Sequence, residues 1–163
     1  MQKYKIVEII HKGRPQIDIF ADIFLLCTKI MSLVKIQEQC DKNVCNYLCK
    51  IPGIRFVALV NKNGKKISGG FGPGTIPLVK DERRLETFFI EIALDLAMRK
   101  EFDDSLGSIH AIVSYRANVN IVTIPHQDNL LVVSSYPELE PSRVIQFVYQ
   151  NLNPSNIFEA ESH

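Results

Sequence analysis

The chain has 163 residues, 46% hydrophobic and 23% charged, and its 19 Lys and Arg side chains nearly balance 18 Asp and Glu, for a formal net charge of +1. That length fits one domain of about 100–200 residues, which can bury a core without the help of a disulfide or a metal. The composition excludes a disordered chain, and the near-neutral charge excludes a protein that coats nucleic acid through electrostatics alone.

The charge is unevenly spread. Residues 1–35 carry six basic and three acidic side chains, residues 42–80 seven basic and no acidic ones, and residues 81–104 eight acids against four bases. Such blocks mark solvated faces, or a basic surface that meets an acidic partner. Lys62, Lys65 and Lys66 are the candidate basic partner surface.

Lys3, Lys5, Lys12 and Arg14 precede an apolar run from Ile17 to Val34, the order of a signal peptide. Asp18, Asp22 and Lys29 interrupt the run, and no small-x-small cleavage site follows it. A bilayer span needs about 20 mostly apolar residues, so no membrane span is expected. Apolar residues at 19, 20, 23, 24, 26, 27, 30, 31 and 34 recur at helical spacing and predict an amphipathic packing helix. Residues 1–35 are therefore expected to be an N-terminal extension with one helix. Met31 offers a second start, in which case residues 1–30 would not belong to the native protein.

A helix is predicted over 36–51, with Ile36, Cys40, Val44, Leu48 and Ile51 as its apolar stripe. Pro52-Gly53 ends it. Residues 54–60 are apolar on nearly both faces, as a central strand covered on two sides should be. Asn61-Lys62-Asn63-Gly64 predicts a type I′ hairpin turn, and Lys65 to Gly69 returns as the partner strand. Residues 69–80 form a Gly- and Pro-rich loop. The strongest helical signal is 82–102, with Leu85, Phe88, Phe89, Ile92, Leu96 and Ala97 apolar, Glu91 and Asp95 polar, and Asp81 as N-cap. Three strands follow, at 108–116, 119–124 and 130–135. Residues 141–152 form the last helix, with Pro141 at its first position and Val144, Ile145 and Val148 inward. Residues 153–163 read as a flexible tail.

The order from residue 36 is α-β-β-α-β-β-β-α. It predicts an α+β domain: a five-stranded antiparallel sheet with helices on its faces. The two strands apolar on both sides, 54–60 and 130–135, should be central and adjacent.

This order, a helix running into Ile51-Pro52-Gly53 and a strand ending Asn61-x-x-Gly64, resembles the roadblock/LC7 domain, a relative of longin and profilin-like sheets. The resemblance covers about residues 36–152. At residue level the chain is most similar to an archaeal family of unknown function, through Ile51-Pro52-Gly53-Ile54-Arg55-Phe56, Asn61-Lys62-Asn63-Gly64-Lys65, Met98-Arg99-Lys100-Glu101-Phe102-Asp103 and Asn129-Leu130-Leu131-Val132-Val133. The roadblock resemblance implies a small homodimeric platform that binds a small Ras-like GTPase or docks into larger assemblies, without catalytic residues of its own. It implies a dimer interface on residues 82–102 and 108–116, for which Leu85, Phe89, Ile109, Ala111, Val113 and Tyr115 are the candidates. An unpaired edge strand makes the same pairing physically reasonable.

Catalytic chemistry finds no support in the residues. Gly69-Gly70-Phe71-Gly72-Pro73-Gly74 invites a phosphate-loop reading, but no Gly-Lys-Ser/Thr follows and the next helix starts too late. No G-x-S-x-G occurs, and His11, His110, His126 and His163 are scattered. Cys27, Cys40, Cys45 and Cys49 lack the paired spacing of a zinc site. They read as reduced thiols of a cytoplasmic protein, with Cys40 in the core. No nucleic-acid signature accompanies the basic block. The expected function is a non-enzymatic interaction module without cofactor or metal. The alternative is a small-molecule sensor of PAS or profilin type, with a ligand held between sheet and helix and Tyr47, His110 and Tyr115 as polar contacts.

Overall fold

The computed structural model describes residues 19–152. The N-terminal basic residues, His11, the 153–163 tail with His163, and the side chains of Ile36 and Cys40 lie outside the described residues. Two compact units divide the chain, Met1–Gln37 and Glu38–His163.

The first helix, α1 (Ile19–Leu48), runs without a break where the sequence predicts two helices. Nothing at Lys35-Ile36 stops a helix: no Gly or Pro occurs between residues 16 and 51. In the first unit its apolar arc is solvent-exposed: Ile23, Phe24, Leu26, Ile30, Met31 and Val34 are each at least half accessible. In the second unit Val44, Cys45 and Leu48 are buried. Cys45, not assigned to the core from sequence, is 1% exposed. The helix tightens at its end, where Lys50 N–H reaches Tyr47 and Ile51 N–H reaches Leu48, and Pro52 cannot continue it.

Strands β1 (Ile54–Asn61), β2 (Lys66–Phe71), β3 (Ile112–Tyr115), β4 (Asn120–His126) and β5 (Asn129–Ser135) form one sheet in the order β2-β1-β5-β4-β3. Every pairing is antiparallel. The two all-apolar strands are neighbours, as expected: Val57 pairs with Val133, Ala58 with Val132 and Leu59 with Leu131. Alternation sends one set of side chains to each face. Val57, Leu59, Leu131 and Val133 meet Val44 and Leu48 of α1 and Val144 and Val148 of the last helix, α4 (Pro141–Leu152). Phe56, Ala58, Val60, Leu130 and Val132 meet Phe89, Ala93 and Leu96 of α2 (Glu82–Lys100). A short helix, α3 (Asp103–Leu106), leads out of α2.

The helix caps are as the sequence suggests. Asp81 Oδ1 accepts from the N–H groups of Arg83 and Arg84 at 2.9 and 3.4 Å. The Asp95–Arg99 pair closes at 2.9 Å, but both side chains are half or more exposed, so it adds only about 0.3–0.5 kcal/mol.

Three local readings need correction. The strand predicted over 108–116 is only Ile112–Tyr115, because α3 and the segment after it occupy the chain up to residue 111. Strand β2 extends past Gly69 through Gly70 and Phe71, residues expected in a loop. The β1–β2 turn is not type I′, since Gln127 is the one non-glycine with positive φ among the described residues. Gly64, at φ +81°, takes the left-handed position alone. Its N–H donates to the Asn61 carbonyl, and the Asn61 side chain accepts from Asn63 and Lys65 N–H. That is a type I turn closed by a glycine bulge.

A Cβ at Gly64 would stand 2.5 Å from the Ile90 Cα on α2, and one at Gly69 2.1 Å from the Val57 carbonyl oxygen. Gly64→Ala therefore destabilises the domain by ~1–3 kcal/mol for the left-handed conformation alone, with the helix contact adding to it. Urea unfolding should show this loss, while Lys65→Ala, an exposed neighbour, stays within about 0.5 kcal/mol of wild type.

Candidate functional site

Helix α2 carries two apolar faces. The inner one packs on the sheet through Phe89, Ala93 and Leu96. The outer one, Ile90, Leu94 and Met98 at i, i+4 and i+8, is 53%, 60% and 59% exposed. These three were not singled out from sequence. The signal was present: α2 shows apolar residues over too wide an arc to be consumed by one sheet contact. Glu91, Asp95 and Arg99 form the polar ridge between the two faces.

The residues expected at a dimer interface do not share one surface. Phe89 is 2% exposed and belongs to the core beneath α2. Leu85 and Ile109 are half-buried against the same core, whereas Ala111 and Val113 pack against the α1/α4 side of the sheet. Ile109 thus lies on the other side of the sheet from Ala111 and Val113, and no strand pairing reaches it. Tyr115 is 74% exposed at the end of β3, the last strand of the sheet. The outer edge of β3 has no strand beside it among the described residues. Lys62, Lys65 and Lys66 are exposed at the β1–β2 hairpin.

Between the first half of α2 and the end of the sheet lies an open cleft of about 510 Å³. Its apolar walls are Phe56, Phe71, Leu78, Val79, Leu85 and Phe88, with Val132 at its floor. Its polar groups are Arg55, Arg116, Asn118 and Ser134. Tyr47, His110 and Tyr115, expected to supply polar contacts to a ligand, are exposed and do not line it.

The glycine-rich segment does not form a phosphate cradle. Gly69 and Gly70 pair with Ala58 and Val57, Gly72 N–H donates to the Arg55 carbonyl, and Thr75 N–H to the Gly72 carbonyl. The segment is thus tied into the sheet edge and a turn rather than looped around an open centre. Among the described residues no three His, Cys, Asp or Glu side chains converge as metal ligands. No described helix is long and apolar enough to cross a membrane. The thiols of Cys45 and Cys49 sit against β2: Cys45 Sγ is 3.4 Å from Ser68 Oγ, and Cys49 Sγ donates to the Gly70 carbonyl at 3.2 Å. Burial pushes the Cys49 thiol above its ordinary value of 9.0, against smaller opposing effects of backbone contacts at Gly70 and Val57.

A raised folded-state pKa means that the contribution to stability is fully present below the ordinary thiol value and is lost above it, as pH rises through the raised one. The thiolate is the reactive form, so Cys49 should be alkylated ~10-fold or more slowly than the exposed Cys27 at pH 8. Iodoacetamide labelling with peptide mapping tests this; equal rates would contradict the burial.

Solved structures with this fold are similar over most of the chain. The gliding protein MglB of Thermus thermophilus superposes with a TM-score of 0.60 at 12% identity, covering 76% of this chain and 91% of that one. Myxococcus xanthus MglB gives 0.57 at 19% identity, covering 76% and 90%. The Roadblock/LC7 domain from Streptomyces avermitilis gives 0.55 at 10% identity, covering 73% and 97%. The fold is the roadblock/LC7 fold. No curated protein matches at the level of sequence. Residues 31–155 match the model of a family of unknown function (DUF6659), and the chain belongs to that family.

Proposed function

We propose that this DUF6659 protein is a non-enzymatic, cytoplasmic protein-interaction module. It forms a homodimer and serves as a platform for a small Ras-like GTPase. The observation that carries the reading is the outer stripe of α2. Three large apolar side chains, each more than half exposed, lie in line on a helix whose other face is already buried. A soluble monomer rarely keeps such a stripe in water, and partner-binding surfaces have this character.

The roadblock fold supports the reading by placing that stripe on a rigid scaffold, with the edge of β3 available to a second strand. A twofold axis would bring like residues together, so Ile90, Leu94 and Met98 would meet their own copies. Leu94, central in the stripe, is the natural anchor. Lys62, Lys65 and Lys66 sit on the hairpin that Gly64 seats against α2, and they give the module a basic margin for an acidic partner. In this reading residues 1–35 are an extension of the module.

Sedimentation velocity of the full chain tests the dimer. Wild type should sediment as a dimer at micromolar concentration. Leu94→Glu should weaken association at least ~100-fold, because it places a charge at the centre of a desolvated contact. Ile30→Glu on α1 should leave the dimer intact. If Ile30→Glu alone dissolves the dimer, α1 and not α2 carries the interface. A monomeric wild type would remove the proposal.

A further inference from the structure

The cleft at the N-terminal half of α2 has no part in the interaction surface above, and its chemistry points elsewhere. It is built where β1 begins, β5 ends and the β3–β4 turn crosses, so residues distant in sequence converge on one space. Its volume of about 510 Å³ falls within the range of about 300–1,000 Å³ typical of small-molecule sites. Three phenylalanines, Phe56, Phe71 and Phe88, supply wide apolar walls. Both charged side chains that line it are arginines, Arg55 and Arg116, and no carboxylate lines it.

Arg55 is held in place. Its Nη2 donates to the Ile76 carbonyl at 2.9 Å, and its guanidinium lies 4.6 Å from the centre of the Tyr136 ring. One of five N–H donors is spent on that carbonyl, and the planar fork has others to offer to an anion. Arg116 is exposed and makes no ion pair with the described residues. It also borders a smaller cleft that contains Glu91 and Asp95. Arg99 already holds the Asp95 carboxylate, at 2.9 and 3.0 Å, which leaves Glu91 as the acid on that side.

From the pairing of one anchored arginine, Arg55, and a second, exposed one, Arg116, with a large aromatic wall, we propose that this cleft binds a small organic monoanion. The ligand is a carboxylate with an acyl or aromatic body: its head meets Arg55 and Arg116, and its body lies against Phe56, Phe71 and Phe88. A neutral molecule of the same shape would leave both guanidinium groups without their counter-charge, and a cation would be repelled. This is a ligand site independent of the dimer and GTPase reading, so either can fail alone.

The test is an amide NMR titration of the full chain with three probes of equal chain length, below their micelle concentrations: decanoate, decanol and decyltrimethylammonium. The expected result is saturable shifts for decanoate at Arg55, Phe71 and Asn118, with the neutral and cationic probes at least ~10-fold weaker. Arg116→Gln, an exposed substitution, should weaken decanoate ~10-fold and leave decanol unchanged; Arg55→Gln should do the same where its spectrum remains folded. Equal affinity for all three probes would overturn the proposal. So would unaltered decanoate binding in Arg116→Gln, no saturable shift, or shifts confined to residues 23–34 or 90–98.

Discussion

The antiparallel pairing of β1 on β5 sets Val57 against Val133 and Leu59 against Leu131 on one face, and Ala58 against Val132 on the other. Neither face of this pair tolerates water, so each must be covered. Helices α1 and α4 close one side and α2 closes the other. The flanking strands, β2 beside β1 and β4 beside β5, then extend the sheet outward by ordinary hairpin connections. Because the core is two-sided, a one-residue slip in the β1–β5 register would invert both faces at once, which pins the register strongly.

Covering the sheet from the α2 side is incomplete, and the surface features follow from that. Among the described residues a single helix, α2, lies over this face of the five-stranded sheet. It seals β1 and β5 through Phe89, Ala93 and Leu96, and it leaves space beside it over β3 and β4 and over the end of the sheet. The same helix needs only part of its circumference for the core, yet its sequence is apolar on a second arc. An interaction stripe and an aromatic cleft thus arise from one helix: one on the side turned away from the sheet, the other where it fails to cover it. Gly64 adds a further constraint, since the hairpin approaches α2 too closely for any side chain at that position.

Much of this was legible in the residues. The strands β1 and β5 announce themselves as apolar runs without alternation, and their adjacency follows from burial on both sides. Helix α2 and helix α4 are framed by Asp81 and Pro141, residues whose chemistry fits the start of a helix. What the chain pattern could not convey were features set by tertiary geometry. Ile109 reads as the start of an alternating strand, yet α3 takes the chain ahead of it and leaves only four residues for β3. Asn63-Gly64 satisfies a type I′ pattern, but the Asn61 side chain bonds the turn into another form. Ile90, Leu94 and Met98 are passed over in the sequence, and only the packing of Phe89, Ala93 and Leu96 on the sheet shows that they form an apolar stripe left outside. Arg55 and Arg116 are 61 positions apart in sequence, and only the fold places them around one cleft.

The central claim is that this fold works by holding another protein. Its most direct measurement is capture from native lysate with the full chain as bait, loaded in parallel with GDP and with a non-hydrolysable GTP analogue, and read by mass spectrometry. The account predicts reproducible enrichment of a small Ras-like GTPase in one nucleotide state, reduced when Leu94→Glu is the bait. Recovery of the bait alone in both states, at a depth where weak partners are detected, would contradict it.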